Sequence, residues 1–424
     1  MKSDIIEGLQ IVGFYGNSQL AERGVKEGDW ILEYNYQKVT SKAQLQELKM
    51  KFQDYNNVVL KVKRGDEEEY FQIWPGDLGI YLAEREKSPN ILSDAKRIEN
   101  IDRLEKKTGR ENTFFGSVLN ILKVFEIEVN LITLMGLSAF PFRIQFHENW
   151  STDIFDPIKG FDCIKFLFNN LNIKYKLYED DVKSDQFIKT IRRSIDKGIP
   201  VLAKNLYTNN EWGIITGYQN KGKDIFCRSY HDKTINYSLA RQKPNCIIVF
   251  ETKPKNFDSK DKFQFEKSKI NSLAAAKDML SNKVFGEYLI GNYAINKWQN
   301  VLEDNDYFES LTDEKFRKIC ITNHLLFDQY SYNSQIASDY IEGFIEIFPD
   351  SKEHLKRLCK FFKDESKILN DSKKFLPINL NEDLRNFFTQ QYRNNQVIAL
   401  IKIQKKNNEI LPIMEKLPLF KQKK

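Results

Sequence analysis

The segment GDLGI, from Gly76 to Ile80, constrains the fold of this chain more than any other part of the sequence. Its centre, Leu78-Gly79-Ile80, places a glycine between two apolar residues. Because glycine has no Cβ, successive backbone N–H groups in such a turn can converge on one anion. A strand that follows the turn can then accept an extended peptide as an additional strand. The sequence therefore predicts a site for the terminal carboxylate of a peptide.

The sequence before this turn has a regular order of strand and helix signals. They are the strand QIVGFY, a short helix over residues 19–23, the segment GDWI that leads into a core strand, a helix over 41–52, a strand over 58–63 and, after a hairpin turn, the strand EEYFQIW. In this order, residues 8–84 resemble a PDZ domain of the bacterial type. The carboxylate loop comes last here but first in the animal domains. The resemblance therefore implies a circularly permuted small β-barrel, a PDZ-like peptide-binding domain, over residues 1–84.

The same resemblance implies where a peptide binds. The ligand would lie between the strand 79–82 and the helix 41–52, with its carboxylate at Leu78, Gly79 and Ile80 and with Leu45 and Leu48 as pocket walls. Two other interpretations remain open. The turn is equally consistent with a simple connection that closes a small barrel, and the two leucines are equally consistent with core positions.

Length and composition exclude several classes of protein. A chain of 424 residues, 41% of them hydrophobic, is expected to form two to four domains. Its five cysteines are odd in number and lack a C-x-x-C pair, which favours a reducing compartment. The N-terminus lacks the apolar core of a signal peptide and no apolar run is long enough to span a membrane, so we expect a cytoplasmic protein.

Motif analysis predicts neither a cofactor nor a nucleic-acid partner. The net charge of +6 is mild for this length, and RNP, KH and helix-turn-helix patterns are absent from the sequence. The four histidines show no ligand spacing for a metal, and neither a Walker-type loop nor GxGxxG occurs. A protein or peptide C-terminus is the expected partner, and the oligomeric state stays open.

Three further segments follow the first domain. Residues 85–110 are rich in charge and predict a helical linker. Residues 111–255 carry mixed helix and strand signals, with a β-rich aromatic stretch expected through MGLSAFPFRIQFHENW. Residues 263–424 place apolar residues at helical spacing and predict an all-helical domain. The fold class is thus multidomain α+β.

The middle segment carries a second family pattern. The run GIPVLAKNLYTNNEWGIITGYQ is similar to the second half of a papain-like domain of the kind found in bacteriocin-processing peptidases and butirosin-biosynthesis acyltransferases, and RENTFFGSVLNIL matches the helix that begins with the nucleophilic cysteine. The family's Cys, His and Asp positions correspond to Thr113, Glu211 and Ser229. Acyl transfer in this clan requires a thiolate formed by an imidazole base, so the resemblance implies a degenerate domain that has lost its triad.

Glu211 admits three interpretations. It is a plain surface carboxylate, a binding group for an amine or guanidinium in the inherited cleft, or a general acid or base for another reaction. In the second and third cases, the neighbouring Trp212 would form an apolar wall and a face for a cation.

Two functions from different classes follow. The first is a non-catalytic adaptor or sensor that binds a protein C-terminus, in which the helical segment acts as a lid or a dimerisation surface and its aromatic residues Tyr288, Tyr293 and Trp298 belong to the core. The second is a cysteine-dependent amide or thioester hydrolase or acyltransferase that uses Cys163 with His147 or His231.

Overall fold

The computed structural model describes residues 8–14, 18–65, 67–83, 91–104, 112–179, 184–208, 210–232, 237–252, 262–281, 283–373 and 384–420. The architecture is α+β, with several antiparallel sheets and a C-terminal region that is mainly helical. Within the described residues, no helix is both long and apolar enough to cross a membrane.

The first segment is a sheet covered by a helix. Its elements are β1 (Leu9–Phe14), α1 (Gln19–Glu22), β2 (Trp30–Tyr34), β3 (Gln37–Lys38), α2 (Lys42–Lys51), β4 (Val58–Arg64), β5 (Glu67–Ile73) and β6 (Ile80–Ala83). The strand order is β5-β4-β2-β1-β6, with β3 attached to β2. Because β5 and β6 are the two ends of this path, closure of the sheet into a barrel stays a prediction.

Local sequence chemistry explains the elements of this segment. The Ser41 side chain accepts a hydrogen bond from Gln44 N and caps α2, and Ser18 caps α1 in the same way. Along β4, alternate residues Val58, Leu60 and Val62 are buried, as expected for a strand with one face on a core. These strands and α2 enclose one hydrophobic cluster between Leu9 and Ile80.

The middle segment is built around a second antiparallel sheet. Its elements are β7 (Lys96–Arg97), α3 (Thr113–Val124), α4 (Leu131–Leu137), β8 (Gln145–Phe146), α5 (Cys163–Asn170), β9 (Tyr175–Tyr178), α6 (Ser184–Asp196), β10 (Val201–Lys204), β11 (Trp212–Gln219), β12 (Asp224–Arg228), β13 (Ser238–Leu239) and β14 (Cys246–Phe250). The strand order is β13-β12-β11-β10-β14-β9, and β7 pairs with β11. The predicted helices and the strands that begin at residues 201, 212, 224 and 246 are therefore present.

The C-terminal segment contains helices and one hairpin. Its elements are α7 (Lys262–Leu280), β15 (Lys283–Phe285), β16 (Tyr288–Ile290), α8 (Asn292–Glu303), α9 (Asn305–Ser310), α10 (Asp313–Glu342), α11 (Lys352–Lys373), α12 (Leu384–Phe387) and α13 (Gln390–Glu415). β16 pairs with β8 of the middle segment. A single hydrophobic cluster includes Phe114 on α3, Tyr340 on α10 and Met414 on α13, so these helices share a core with the middle segment.

Three expectations from the sequence differ from the structure. The linker predicted to be helical carries β7 and no helix over its described residues 91–104. The stretch expected to be β-rich forms α4 and the 3-10 helix Phe140–Phe142, with only Gln145–Phe146 as strand. The segment expected to be all-helical contains the β15–β16 hairpin. The division of the chain into separate domains stays a prediction.

Candidate functional site

A groove of about 290 Å³ lies between α2 and β6. It is lined by Lys42, Leu45, Gln46 and Lys49 of α2, by Asp77 and Leu78 of the turn, and by Ile80, Tyr81 and Leu82 of β6. The groove therefore has an apolar floor, with two lysines on the helical side and a carboxylate at the turn. β6 pairs with β1 along one edge and stands at the end of the strand path, so its second edge faces the groove side of the sheet.

The turn before β6 is held by side chains of α1 and its cap. Ser18 Oγ donates to Leu78 O at 3.0 Å. Gln19 Nε2 donates to Trp74 O at 3.1 Å and to Asp77 O at 3.0 Å, and Gln19 Oε1 accepts from Trp74 N at 2.9 Å. Gly79 has φ of 67°, a left-handed conformation that glycine adopts without strain. The turn is therefore fixed by contacts that do not depend on a ligand.

One amide of this turn is already bonded within the protein. Gly79 N donates to Oδ1 of Asp77 at 3.2 Å. Asp77 is also one of the groove residues, so a carboxylate of the protein lies at this end of the groove and is bonded to the amide of Gly79. An anion that binds to this amide has to share it with Asp77 or displace it.

Not all of the peptide-site residues expected from the sequence line the groove. Leu45, Leu78 and Ile80 line the groove, and Gly79 is the centre of the turn. Leu48 packs in the hydrophobic cluster, as Leu45 also does, but Leu48 is not among the residues that line the groove. Recognition of a carboxylate at the turn stays a prediction.

The three substituted triad positions lie close together in the middle segment. Thr113, at the start of α3, accepts a hydrogen bond on Oγ1 from Trp212 N at 3.0 Å, which places it beside Glu211. Glu211 Oε2 lies 2.5 Å from His231 Nε2. His231 N in turn donates to Ser229 Oγ at 3.1 Å. The loop after β12 therefore brings Ser229 to the same end of the sheet as Glu211.

Short contacts surround the imidazole of His231. Thr208 Oγ1 donates to Glu211 Oε2 at 2.5 Å and lies 3.4 Å from His231 Nε2. The ring of Tyr207 stacks on His231 with 5.5 Å between the ring centroids. The guanidinium of Arg241 lies over the ring of Tyr207, 4.2 Å from its centroid. The carboxylate of Glu211 thus has a hydroxyl and an imidazole as partners.

Ser229 belongs to a buried polar group behind this cluster. Both Ser229 N and Ser229 Oγ bond to Asp232 Oδ1, at 3.1 Å and 3.3 Å. Arg228 Nη1 lies 3.3 Å from Asp232 Oδ2. Burial raises the pKa of Asp232 to about 6, although the charge of Arg228 opposes this shift. Ser229 therefore helps to hold the carboxylate of Asp232.

This arrangement does not match the geometry of a nucleophilic triad. In such a triad, the hydroxyl and the carboxylate bond to opposite nitrogens of the imidazole. Here Thr208 and Glu211 both approach Nε2 of His231. The cluster contains no thiol, because its members are Thr113, Thr208, Glu211, Ser229 and His231. Its contacts account for a polar corner of the fold and differ from those of such a triad.

Neighbouring side chains fill the space around this cluster. Trp212 is 2% exposed and packs edge-on against Phe114 with 5.3 Å between ring centroids. It is therefore a core residue and not the wall of an open cleft. The hydroxyl of Tyr230 lies against α3, since a Cβ added to Gly116 would be 1.8 Å from that oxygen.

Cys163 also lacks the exposure and the low pKa of a reactive thiol. It is fully buried at the start of α5, and burial raises the pKa of its thiol to about 12. His147 Nε2 lies 3.3 Å from Glu287 Oε2, and His231 contacts Glu211. Both histidines named as its candidate bases thus have carboxylates as partners.

Sequence reasoning missed Thr208 and Asp77, and it named His231 only as a base for Cys163 and not as a partner of Glu211. His231 reaches Glu211 because β11 and β12 pair, and no spacing rule relates these two positions, whereas Thr208 lies only three residues before Glu211. Asp77 stands two residues before Gly79, where an aspartate commonly bonds a following backbone amide, so this contact had a local signal. Neither the protein-family models nor the curated proteins compared with this sequence match it.

Proposed function

We propose that this protein is a non-catalytic adaptor or sensor that binds an extended peptide in the groove between α2 and β6. The observation that carries the proposal is the combination of an edge strand, an apolar floor and a fixed glycine turn in one groove. A peptide that pairs with β6 gains main-chain hydrogen bonds, and alternate side chains then point toward the groove. The terminal carboxylate of the peptide would lie at the turn Leu78-Gly79-Ile80.

The charges of the groove indicate which peptides fit it. Lys42 and Lys49 lie two turns apart on one face of α2, with Leu45 between them. An apolar peptide side chain packs against Leu45, and acidic residues on either side of it are attracted by the lysines. The preferred ligand is therefore a C-terminal segment in which acidic residues flank an apolar one.

The middle segment supports binding more than turnover. None of its three substituted positions is a cysteine or a histidine, the residues that the papain-like reaction requires. A degenerate papain-like domain is thus consistent with the proposal, with its polar cluster serving the fold. The adaptor would present the bound peptide to a further partner through its other surfaces.

Reversing a charge in the groove tests the proposal. Acidic peptides selected from a display library of free C-termini should bind the full-length protein, and Lys49→Glu should weaken them about 5-fold at low salt, because an attraction of roughly 0.5 kcal/mol becomes a similar repulsion. The measurement is fluorescence anisotropy with a labelled peptide.

The matched control is Lys51→Glu. Lys51 is on the same helix but does not line the groove, and its Nζ lies 3.4 Å from Gln37 Oε1. This variant has the same net charge as Lys49→Glu and should bind the peptide as the wild-type protein does. Failure of the library to yield any binder, or equal losses in both variants, would show that the groove is not the peptide site.

The competing function, a cysteine-dependent hydrolase or acyltransferase, predicts one fast-reacting thiol. We expect the opposite, since burial raises the pKa of Cys163, Cys320 and Cys359 to about 12. At pH 7.5 such thiols contain only a trace of thiolate, and Cys227 and Cys246 are buried, so iodoacetamide should label the native protein slowly at every position. Mass spectrometry of the labelled peptides over time measures this. A single cysteine that reacts as fast as a free thiol would favour the hydrolase.

A further inference from the structure

An internal carboxylate, that of Asp77, lies at the glycine turn, where the proposed function places the carboxylate of a peptide. Asp77 Oδ1 accepts the hydrogen bond of Gly79 N at 3.2 Å, and Asp77 itself lines the groove. Backbone amides in a glycine turn bind anions because their dipoles converge, and this attraction is the same for an internal and an external carboxylate. Two carboxylates at one amide also repel each other, since like charges at short range disfavour joint occupancy.

We infer that Asp77 is a specificity-determining residue of the groove, which competes with the terminal carboxylate of a peptide for the amide of Gly79. This inference rests on the proposed function. Asp77 lowers the affinity of the groove for free C-termini and leaves the affinity for a peptide with a neutral end unchanged. The groove therefore selects its ligands by strand pairing with β6 and by peptide side chains that face Leu45 and Lys49. The terminal carboxylate of the peptide adds less to the affinity than it would at a glycine turn without Asp77.

The turn is able to lose this carboxylate without losing its shape. Ser18 and Gln19 bond to the backbone carbonyls of Leu78, Trp74 and Asp77, and these contacts do not involve the Asp77 side chain. Asparagine has the same shape as aspartate and retains an oxygen that accepts from Gly79 N, but it lacks the charge. Asp77→Asn therefore separates the electrostatic competition from the local hydrogen bond.

The test compares one peptide with a free carboxylate and the same peptide with an amidated end, on the full-length protein. Asp77→Asn should raise the ratio of the affinity for the free acid to the affinity for the amide about 10-fold, mainly through tighter binding of the free acid. Asp77→Ala, which also removes the accepting oxygen, should change the ratio in the same direction. Asp54→Asn is the matched control, because Asp54 is exposed on the same segment and is not a groove residue. It should leave the ratio unchanged.

The outcomes distinguish the inference from the proposed function. If both peptides bind and the ratio is the same in wild type, Asp77→Asn and Asp77→Ala, the inference is wrong and the groove remains a peptide site. If neither peptide binds to any variant, the proposed function is wrong and the inference fails with it. An equal rise in Asp54→Asn would assign the effect to net charge and would also overturn the role of Asp77.

Discussion

Replacing Arg143 by methionine should lower the free energy of unfolding by roughly 2–3 kcal/mol, because the buried guanidinium donates several charge-assisted hydrogen bonds to backbone carbonyls. Arg143 is 2% exposed and its guanidinium lies 4.8 Å from the ring centroid of Phe140. Its Nη1 donates to the carbonyls of Lys159 and Phe161, at 2.5 Å and 3.0 Å. Its Nη2 donates to those of Ile154 and Asp156, at 2.9 Å and 3.2 Å.

The loss follows from what remains in the variant. Methionine fills much of the apolar space but donates no hydrogen bond, so a buried carbonyl that is left without any donor costs about 1–3 kcal/mol if water does not replace the guanidinium. Gln145 Nε2 also donates to Ile154 O at 2.6 Å and to Lys159 O at 3.4 Å, and Lys159 N donates to Asp156 O at 3.1 Å, so these three carbonyls each keep a partner. The penalty for an unsatisfied carbonyl therefore falls mainly on Phe161 O.

Chemical denaturation followed by circular dichroism measures this prediction. Arg357→Met is the control, because Arg357 is exposed on α11 and its loss should change the free energy of unfolding by no more than about 0.5 kcal/mol. A loss below about 1 kcal/mol in Arg143→Met would mean that water enters the loop and satisfies the carbonyls.

The sequence predicted the elements whose signals are local. α2 and α3 begin where Ser41 and Asn112 cap them, and β4 alternates between buried and less buried residues as its apolar pattern requires. The run that became α4 was assigned to strand because a short apolar segment has no periodicity that separates helix from strand. Its N-cap, Asn130, was the available signal, since it accepts from Thr133 N at 2.8 Å.

The β15–β16 hairpin was missed for a non-local reason. Its apolar residues continue the helical spacing of α8, yet Gly286 and Gly291 have φ of 60° and 67° and interrupt a helix there. The pairing of β16 with β8 stabilises the strand from a part of the chain that is distant in sequence. A single-sequence pattern contains no information about such a pairing.

The candidate sites divide in the same way. The groove was predictable because the glycine turn and α2 each have a local sequence pattern, and the order of these elements along the chain matches the family pattern that places a groove between them. The contact of His231 with Glu211 was not, since it depends on the register of β11 and β12. The occupation of Gly79 N by Asp77 depends on a side-chain rotamer, which composition and spacing do not determine.

A second large effect is expected from Glu365, which is 2% exposed on α11. Burial raises its pKa from the usual 4.5 to about 7, although the hydroxyl of Ser334, which donates to Oε2 at 2.8 Å, and the charge of Lys406 oppose the shift. The pKa in the folded state is thus higher than in the unfolded state. Between about pH 4.5 and pH 7 the folded protein binds more protons, so its stability falls as the pH rises through this window.

Glu365→Gln should remove this dependence, because glutamine is neutral at every pH and keeps an oxygen for Ser334. A shift of this size corresponds to about 3 kcal/mol, so the variant should be more stable than the wild type by up to that amount at pH 8 and of similar stability at pH 4.5. The free energy of unfolding measured by denaturant titration at several pH values tests this.

Glu353→Gln is the control, because Glu353 lies on the same helix and forms a salt bridge with Lys356 at 3.0 Å. This variant should differ from the wild type by a few tenths of a kcal/mol, and the difference should hardly change with pH. A constant gap between Glu365→Gln and wild type across this range would show that Glu365 has the same pKa in the folded and the unfolded protein, and it would contradict the prediction.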